Sequence, residues 1–161
     1  TPIHYKDLPV NLVNALIATE DERFYEHSGI DFRGTARAAI KLGSGGGAST
    51  ITQQLAKNLF TKQRSSNKIK RVIQKVKEWI ISVRLEKRYS KDEIITMYLN
   101  TVQFSGHAWG IKSIAKELFS KSPSELNIEE SAMIVGILKA ISTYHPKRNP
   151  KNALKRKVLS L

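Results

Sequence analysis

The chain contains no cysteine, so disulfide bonds and thiolate metal sites are excluded, although any cellular compartment remains compatible with the sequence. Long apolar stretches are also missing. The longest apolar run covers residues 132–138 and ends at Lys139, whereas a membrane-spanning helix needs about twenty residues. With 40% hydrophobic residues and a mean hydropathy of −0.33, the 161 residues are expected to form a single domain, 1–161, with its own core.

Acidic residues are scarce, because 14 Asp and Glu stand against 27 Lys and Arg, and the formal net charge is +13. This charge predicts an anionic partner: nucleic acid, phospholipid headgroups or a phosphate-bearing substrate. Aromatic residues make up only 7% of the chain, which weighs against a nucleic-acid-binding module. The sequence predicts no metal site and requires no cofactor, because the four histidines lack the spacing of metal ligands. They are His4, His27, His107 and His145.

The distribution of apolar residues and helix breakers predicts an all-α fold. Pro9 suits the first turn of a helix that runs to about residue 25. Capping-box patterns at Ser90 and Ser122 predict two further helix starts. Four glycines within residues 43–47 indicate a flexible loop. Other helices are predicted over residues 33–42, 51–60, 68–89, 111–119 and 151–161, with one more beginning near Asn127.

A carboxylate occupies an apolar helix face in this sequence. Leu12, Leu16 and Glu20 are spaced by four residues and therefore share one face of the first predicted helix. Carboxylates partly withdrawn from water are suited to proton transfer near neutral pH, so Glu20 is a candidate acid or base. The alternative is that Glu20 only marks where the helix leaves the core, and for an isolated Glu this structural explanation is the commoner one.

A polar run surrounds the start of the helix predicted over residues 51–60. It is not a phosphate-binding P-loop, because that motif needs Lys and then Ser or Thr after its last glycine and a strand before it. Backbone N–H groups at a helix start, together with hydroxyl and amide side chains, suit an anionic, hydroxyl-rich ligand such as a phosphate-bearing glycan. The glycines alone are better explained as a flexible linker. The polar side chains of this run are Ser49, Thr50, Gln53 and Gln54.

The helix predicted over residues 68–89 has an apolar face and a basic face. Apolar residues recur at spacings of three and four between residues 69 and 83. Paired cations on the basic face could stabilise the charge of a departing diphosphate. The alternative is a solvated helix face crossed by salt bridges. The basic face contains Lys70, Lys77 and Glu78, with Lys75 at its margin.

Several separated segments form recognisable motifs. They read EDERFYEHSG at residues 20–29, GASTITQQ at 47–54, KVKE at 75–78 and YLN at 98–100, followed by the basic stretch 153–159. In this order they resemble the signature motifs of the peptidoglycan glycosyltransferases. That family comprises the lipid II polymerase domain of class A penicillin-binding proteins and the monofunctional transglycosylases. The resemblance covers nearly the whole chain.

Several departures from the family pattern, among them those at Gln74 and Ile141, bear on substrate detail and leave the reaction class unchanged. Gln74 stands where the third motif usually has arginine, and Arg71 or Lys70, about one turn earlier, is the candidate replacement. Ile141 replaces a usual proline.

The resemblance implies a lysozyme-like all-α fold with a small membrane-facing jaw at about residues 29–47. It also implies inverting polymerisation of lipid II, with release of undecaprenyl diphosphate, at the extracytoplasmic face of the bacterial cytoplasmic membrane. The expected partners are lipid II, the growing lipid-linked glycan chain and the membrane surface, and not nucleic acid. A divalent cation, Mg or Mn, is compatible with the family, although no ligand set is visible. We expect the chain to be a fragment of a longer membrane-anchored protein.

The family motifs also assign roles to residues of this chain. Glu20 would take the proton from the acceptor hydroxyl, and Glu78 would position cations or help to bind the donor. The implied substrate-binding residues are Ser49, Thr50, Gln53, Gln54, Lys57, Lys70, Lys75 and Lys77. The residues expected to hold the shape of the site are Asp21, Phe24, His27 and Asn100.

Two other function classes explain part of the same pattern. A muramidase-like hydrolase or lytic transglycosylase on the same fold would also use a Glu at a helix end, but it would have no diphosphate for the basic face to stabilise. A nucleic-acid-binding helical module would explain the net charge of +13 but not the carboxylates clustered near the polar run.

Overall fold

The computed structural model describes residues 2–40, 49–61, 66–104 and 108–144. Over these residues the fold is all-α, as predicted, and the only strand-like pairing is an isolated bridge between Gln103 and Trp109. The predicted glycine loop and the predicted basic helix at 151–161 lie outside the described residues. The helices are α1 (Val10–Glu20), α2 (Phe32–Ile40), α3 (Ile51–Phe60), α4 (Lys68–Arg88), α5 (Lys91–Thr101), α6 (Gly110–Phe119) and α7 (Ile128–Tyr144).

The apolar core lies between helices that are distant in sequence. Helix α1 packs along α7, whereas α3 packs against both α4 and α5. Leu12 and Leu16 are fully buried, so the face of α1 that also carries Glu20 points inward as predicted. None of the helices described is both long and apolar enough to cross a membrane. The largest fully buried side chains include Tyr98, Phe24, Phe104, Ile94, Ile95 and Ile111.

Helix α1 ends at Glu20, earlier than the predicted end near residue 25. Asp21 leaves the helical conformation, with φ of −158° and ψ of 70°. Its carboxylate accepts hydrogen bonds from the backbone N–H of Ile51 and from the ring of His27, both at 2.9 Å. The partner at Ile51 is distant in sequence, so the helix end is fixed by a tertiary contact that apolar periodicity does not reveal.

Helix α2 starts at Phe32, one residue before the predicted start, because Asp31 caps it. The Asp31 carboxylate accepts a hydrogen bond from the backbone N–H of Gly34 at 3.0 Å and forms an ion pair with Arg23. Burial opposes ionisation of Asp31, but these two contacts outweigh it and lower the pKa of Asp31 below its ordinary value. The cap therefore links α2 to the turn that follows α1.

Side chains cap the starts of three of the predicted helices. Thr50 and Ser90 form capping boxes at the starts of α3 and α5. At the start of α7, Asn127 and Glu130 exchange side-chain to backbone hydrogen bonds in the same way. These side-chain oxygens satisfy N–H groups that have no partner inside the helix. The box at Ser122 instead opens only a short 3-10 helix, Pro123–Glu125.

Most of the apolar face of α4 lies on the surface. An apolar face at helical period ordinarily packs against a core, but α4 packs against α3 through its other side, where Glu78 and Ser82 are buried. The turn before α2 also approaches that side closely. Gly29 has a φ of +102°, and a Cβ on it would lie 2.9 Å from the carbonyl carbon of Ser82. The exposed face of α4 consists of Ile69, Val72, Ile73, Val76 and Ile80, which are between 46% and 73% exposed.

Candidate active site

Glu20 is the last residue of α1, and its side chain is only 6% exposed. Its Oε2 accepts a hydrogen bond from Nε2 of Gln54 at 3.2 Å. Within the described part of the chain, the buried Oε1 has no hydrogen-bond partner, and Nζ of Lys139 lies 3.8 Å from it. A buried carboxylate with one oxygen held by a donor is arranged to accept a proton through its other oxygen.

Lys139 projects from α7 toward the end of α1. Its Nζ donates a hydrogen bond to the backbone carbonyl of Thr19 at 3.2 Å, so the packing of the two helices keeps an ammonium group beside Glu20. A groove of about 480 Å³ opens between α1 and α7 at the same place. Its walls are formed by Ala15, Thr19, Ala132, Val135, Gly136, Lys139 and Ala140.

Gln54 is held from two sides. Its amide oxygen accepts a hydrogen bond from the hydroxyl of Tyr98 at 3.1 Å, while its amide nitrogen donates to Glu20. The three side chains come from α3, α5 and α1, so this contact joins three helices at the end of α1. Gln54, predicted to line a substrate site, therefore touches the candidate base itself.

A buried chain of hydrogen bonds holds the turn after α1. The N–H of Gly29 donates to Nδ1 of His27 at 3.0 Å, so this nitrogen carries no proton. The ring proton is therefore on Nε2, which donates to the Asp21 carboxylate at 2.9 Å. Because Asp21 also accepts the N–H of Ile51, the turn is fastened to the start of α3. Phe24 is fully buried, with its ring edge-on to the imidazole of His27.

Thr50 and Gln53 lie inside the fold, with only 2% and 1% of their surface exposed. Each side chain accepts a hydrogen bond from the backbone N–H of the other, at 3.1 and 3.2 Å. The hydroxyl of Thr50 donates to the carbonyl of Gly29 at 2.7 Å. Both residues therefore serve the cap of α3 and its link to the turn. Their direct contact with substrate stays a prediction, and this buried geometry does not favour it.

Lys75 belongs to a polar cluster at the start of α3. Its Nζ donates to the hydroxyl of Ser49 at 2.8 Å and lies 3.5 Å from Oε2 of Glu78. The Glu78 side chain is 9% exposed, whereas that of Lys75 is 41% exposed. A buried carboxylate thus holds a partly exposed ammonium group beside the N-terminus of a helix, where the helix dipole also favours anions.

The predicted basic face of α4 is divided in the structure. Lys70 and Lys77 are exposed, and at about 100° per residue they project from a different side of the helix than Lys75 and Glu78 do. The division arises because the side of α4 that buries Glu78 packs against α3. Arg71 is half-buried and precedes Lys75 by one turn, so Arg71 is better placed than Lys70 to replace the missing arginine.

Lys57 and Asn100, the two remaining predicted site residues, lie in different helices, α3 and α5. Lys57 is half-buried in the last turn of α3, three residues after Gln54. Asn100 exchanges two hydrogen bonds with the backbone of Ile3: its amide nitrogen donates to the carbonyl at 2.9 Å, and its oxygen accepts from the N–H at 3.1 Å. Asn100 therefore ties the N-terminal segment to α5.

Lys139 and Tyr98 were not predicted as site residues. Their contacts with Thr19 and Gln54 span 120 and 44 positions of the chain. A weak signal existed for Lys139, because it is the charge that ends the longest apolar run. Tyr98 stands in the YLN motif at residues 98–100, but the motif assigned it no role, and an aromatic residue among apolar ones at helical spacing is typical of a core.

The described residues do not fit a divalent cation. No group of three or more His, Asp or Glu side chains among them could hold a metal ion. Glu20 and Glu78 instead contact Gln54 and Lys75, respectively.

Comparison with known proteins identifies the family to which the chain belongs. The family model described as Transglycosylase matches residues 1–161, so the chain belongs to the transglycosylase family. Its relatives include penicillin-binding protein 2a of Streptococcus pneumoniae, which is 38% identical over 157 residues, covering 98% of the chain and 21% of the relative. Penicillin-binding protein 1A of Escherichia coli is 40% identical over 160 residues, covering 97% and 18%. Penicillin-binding protein 1F of Bacillus subtilis is 41% identical over 153 residues, covering 92% and 21%.

These matches confirm the family predicted from the motifs and favour it over the muramidase-like alternative. The all-α fold is consistent with the lysozyme-like architecture that the resemblance implied. The chain spans about a fifth of the length of the relatives that it matches.

Proposed function

We propose that this chain polymerises lipid II into peptidoglycan glycan strands by inverting glycosyl transfer. The observation that carries the proposal is the state of Glu20: a buried carboxylate at a helix end, with Oε2 held by Gln54 and Oε1 left as a proton acceptor. Family membership supplies the substrate class.

In the proposed reaction, Oε1 of Glu20 accepts the proton of the 4-hydroxyl of the acceptor N-acetylglucosamine. The 4-hydroxyl oxygen of the acceptor then forms a bond with the anomeric carbon of the lipid-linked N-acetylmuramic acid of the growing chain. The bond from that carbon to the phosphate oxygen breaks, and undecaprenyl diphosphate leaves with the electron pair. Attack opposite to the leaving group inverts the configuration.

The departing diphosphate needs positive charge, and the cluster at the start of α3 supplies it. Lys75 is partly exposed yet positioned by Ser49 and by Glu78. A cation positioned in advance stabilises developing negative charge without having to reorganise during the reaction. In this proposal Glu78 acts by positioning Lys75, and half-buried Arg71 lies one turn from Lys75 on the same side of α4.

We also propose that the exposed face of α4 contacts a membrane surface. This face is apolar over three turns, and exposed lysines such as Lys70 and Lys77 lie on a neighbouring side of the helix. An amphipathic helix with a basic flank binds at the interface of an anionic bilayer. The lipid tail of the substrate requires work at such a surface, and we take the extracytoplasmic face of the bacterial cytoplasmic membrane as the site of action because the family motifs imply it.

The test is to incubate the protein with labelled lipid II in detergent or liposomes and to separate glycan polymers from monomer. Replacing Glu20 with Gln keeps the size of the side chain but removes the base, so polymerisation should fall by about two to four orders of magnitude. Binding of a diphosphate lipid and the unfolding midpoint should change little.

The matched control is Glu22→Gln, a substitution of the same kind at an exposed position two residues away. It should polymerise lipid II at the wild-type rate. Activity of Glu20→Gln within tenfold of wild type would remove Glu20 from the role of base. Cleavage of preformed peptidoglycan without polymer formation would instead indicate a lytic enzyme.

A further inference from the structure

We infer that Tyr98 is a positioning residue for Glu20 and that it acts through the amide of Gln54. The Tyr98 hydroxyl donates to the amide oxygen of Gln54 at 3.1 Å, and the amide nitrogen donates to Oε2 of Glu20 at 3.2 Å. The inference rests on the proposed function of Glu20 as the base.

The side-chain amide of Gln54 connects Tyr98 on α5 with Glu20 on α1, and both contacts depend on the orientation of that amide. A side-chain amide has an acceptor end and a donor end, and rotation by a half turn about its terminal bond exchanges them. In the observed orientation both ends are satisfied. After rotation the amide oxygen would face the carboxylate of Glu20, placing two acceptors together, and the hydroxyl of Tyr98 would face a donor. Tyr98 therefore favours the orientation in which Gln54 donates to Glu20.

This orientation decides which oxygen of Glu20 is left to react. Because the amide nitrogen occupies Oε2, the other oxygen, Oε1, remains as the acceptor for a hydroxyl proton. The charged group that faces Oε1 comes from another element: Nζ of Lys139 on α7 lies 3.8 Å away. Without the hydroxyl of Tyr98, Gln54 would sample both orientations, and the base would spend less time in the competent arrangement.

Burial explains why the hydroxyl matters at a position that otherwise belongs to the core. Tyr98 is 1% exposed, and its ring is part of the main apolar cluster. A phenylalanine would fill the same core volume, so the hydroxyl is the part of this side chain that reaches Gln54. A hydroxyl buried beside an amide has little water to exchange with, so its contribution to orientation is not screened by solvent.

The test is a double-mutant cycle between Tyr98→Phe and Gln54→Ala in the lipid II polymerisation assay. Loss of one buried hydrogen bond predicts a kcat for Tyr98→Phe about threefold to tenfold below wild type, with KM unchanged. If Tyr98 acts through Gln54, adding Tyr98→Phe to Gln54→Ala should lower kcat no further. Independent, multiplicative losses would overturn the inference, as would a kcat for Tyr98→Phe within a factor of 1.5 of wild type.

The control for hydroxyl loss is Tyr89→Phe at the end of α4, where the side chain is 40% exposed. This variant should keep the wild-type kcat. A second readout does not depend on catalysis: the side-chain amide NMR signals of 15N-labelled Gln54 should shift and lose hydrogen-exchange protection in Tyr98→Phe but not in Tyr89→Phe. Unchanged signals would overturn the inference even if lipid II were not the substrate. Absence of polymerisation by the wild type would instead contradict the proposed function.

Discussion

Replacing Lys91 with methionine is expected to destabilise the fold strongly, because Lys91 is the centre of a polar network behind the site. Its Nζ donates to the carbonyl of His27 at 2.7 Å and to Oε1 of Glu86 at 2.9 Å. The same ammonium lies 4.4 Å from the centroid of the Phe24 ring. Glu86 also accepts the hydroxyl of Thr52 at 2.7 Å, so the network joins α3, α4, α5 and the turn after α1.

The size of the expected loss of stability follows from the burial of the two charged side chains. The side chains of Glu86 and Lys91 are 7% and 21% exposed. Methionine fills similar space but leaves the Glu86 carboxylate with only Thr52 as a described donor. Removing one partner of a fully buried ion pair costs about 3–5 kcal/mol, and the partial exposure of Lys91 lets water replace some of that pairing. We therefore expect Lys91→Met to lower the free energy of unfolding by about 2–3 kcal/mol.

Urea titration followed by circular dichroism measures this change, and thermal unfolding should show a loss of about 4–12 °C for a domain of this size. The double variant with Glu86→Gln should recover part of the loss, because no uncompensated buried charge remains. Lys121→Met is the matched control: its pair with Glu130 has a similar distance, 2.7 Å, but Lys121 is 37% exposed, so a much smaller change is expected. A loss below about 1 kcal/mol for Lys91→Met would refute the assignment of this network as a buried structural element.

Two further predictions concern other parts of the fold. Val76→Asp and Ile73→Asp on the exposed face of α4 should reduce binding to vesicles with anionic lipid while leaving the unfolding midpoint nearly unchanged, as measured by vesicle sedimentation and circular dichroism; undiminished binding would contradict the membrane contact. Asp31→Asn should lower the free energy of unfolding at pH 6. Because the pKa of Asp31 is depressed, this difference should begin to shrink as the pH falls below the ordinary value of about 3.8 and should vanish once the pH is below the depressed pKa; a difference of constant size from pH 6 to pH 2 would contradict the role of ionisation.

Local signals were sufficient to predict the all-α fold and the starts of three helices. The hydroxyl of Thr50, the capping box at Ser90 and the pair of Asn127 with Glu130 act over three residues, so the sequence alone contains both partners. Apolar spacing likewise predicted that the face of α1 carrying Glu20 points inward. The ordered motifs predicted the family that the comparisons confirm.

Tertiary structure decided which of the candidate site residues lie together. Within one polar run, Gln54 reaches Glu20 whereas Gln53 is buried in the cap of α3, a difference that depends on which side of the helix meets α1. The same applies to α4, where packing against α3 buries Glu78 and leaves an apolar face exposed.

The all-α fold, the family and the candidate base could thus be predicted from the sequence, because each is recorded in residue types at short or ordered spacings. Only the tertiary structure brought Tyr98 to Gln54 and Lys139 to the end of α1, across 44 and 120 positions. No spacing rule relates residues so far apart. Their proximity follows from which helix faces bury the most apolar surface together, which is a property of the whole packed core.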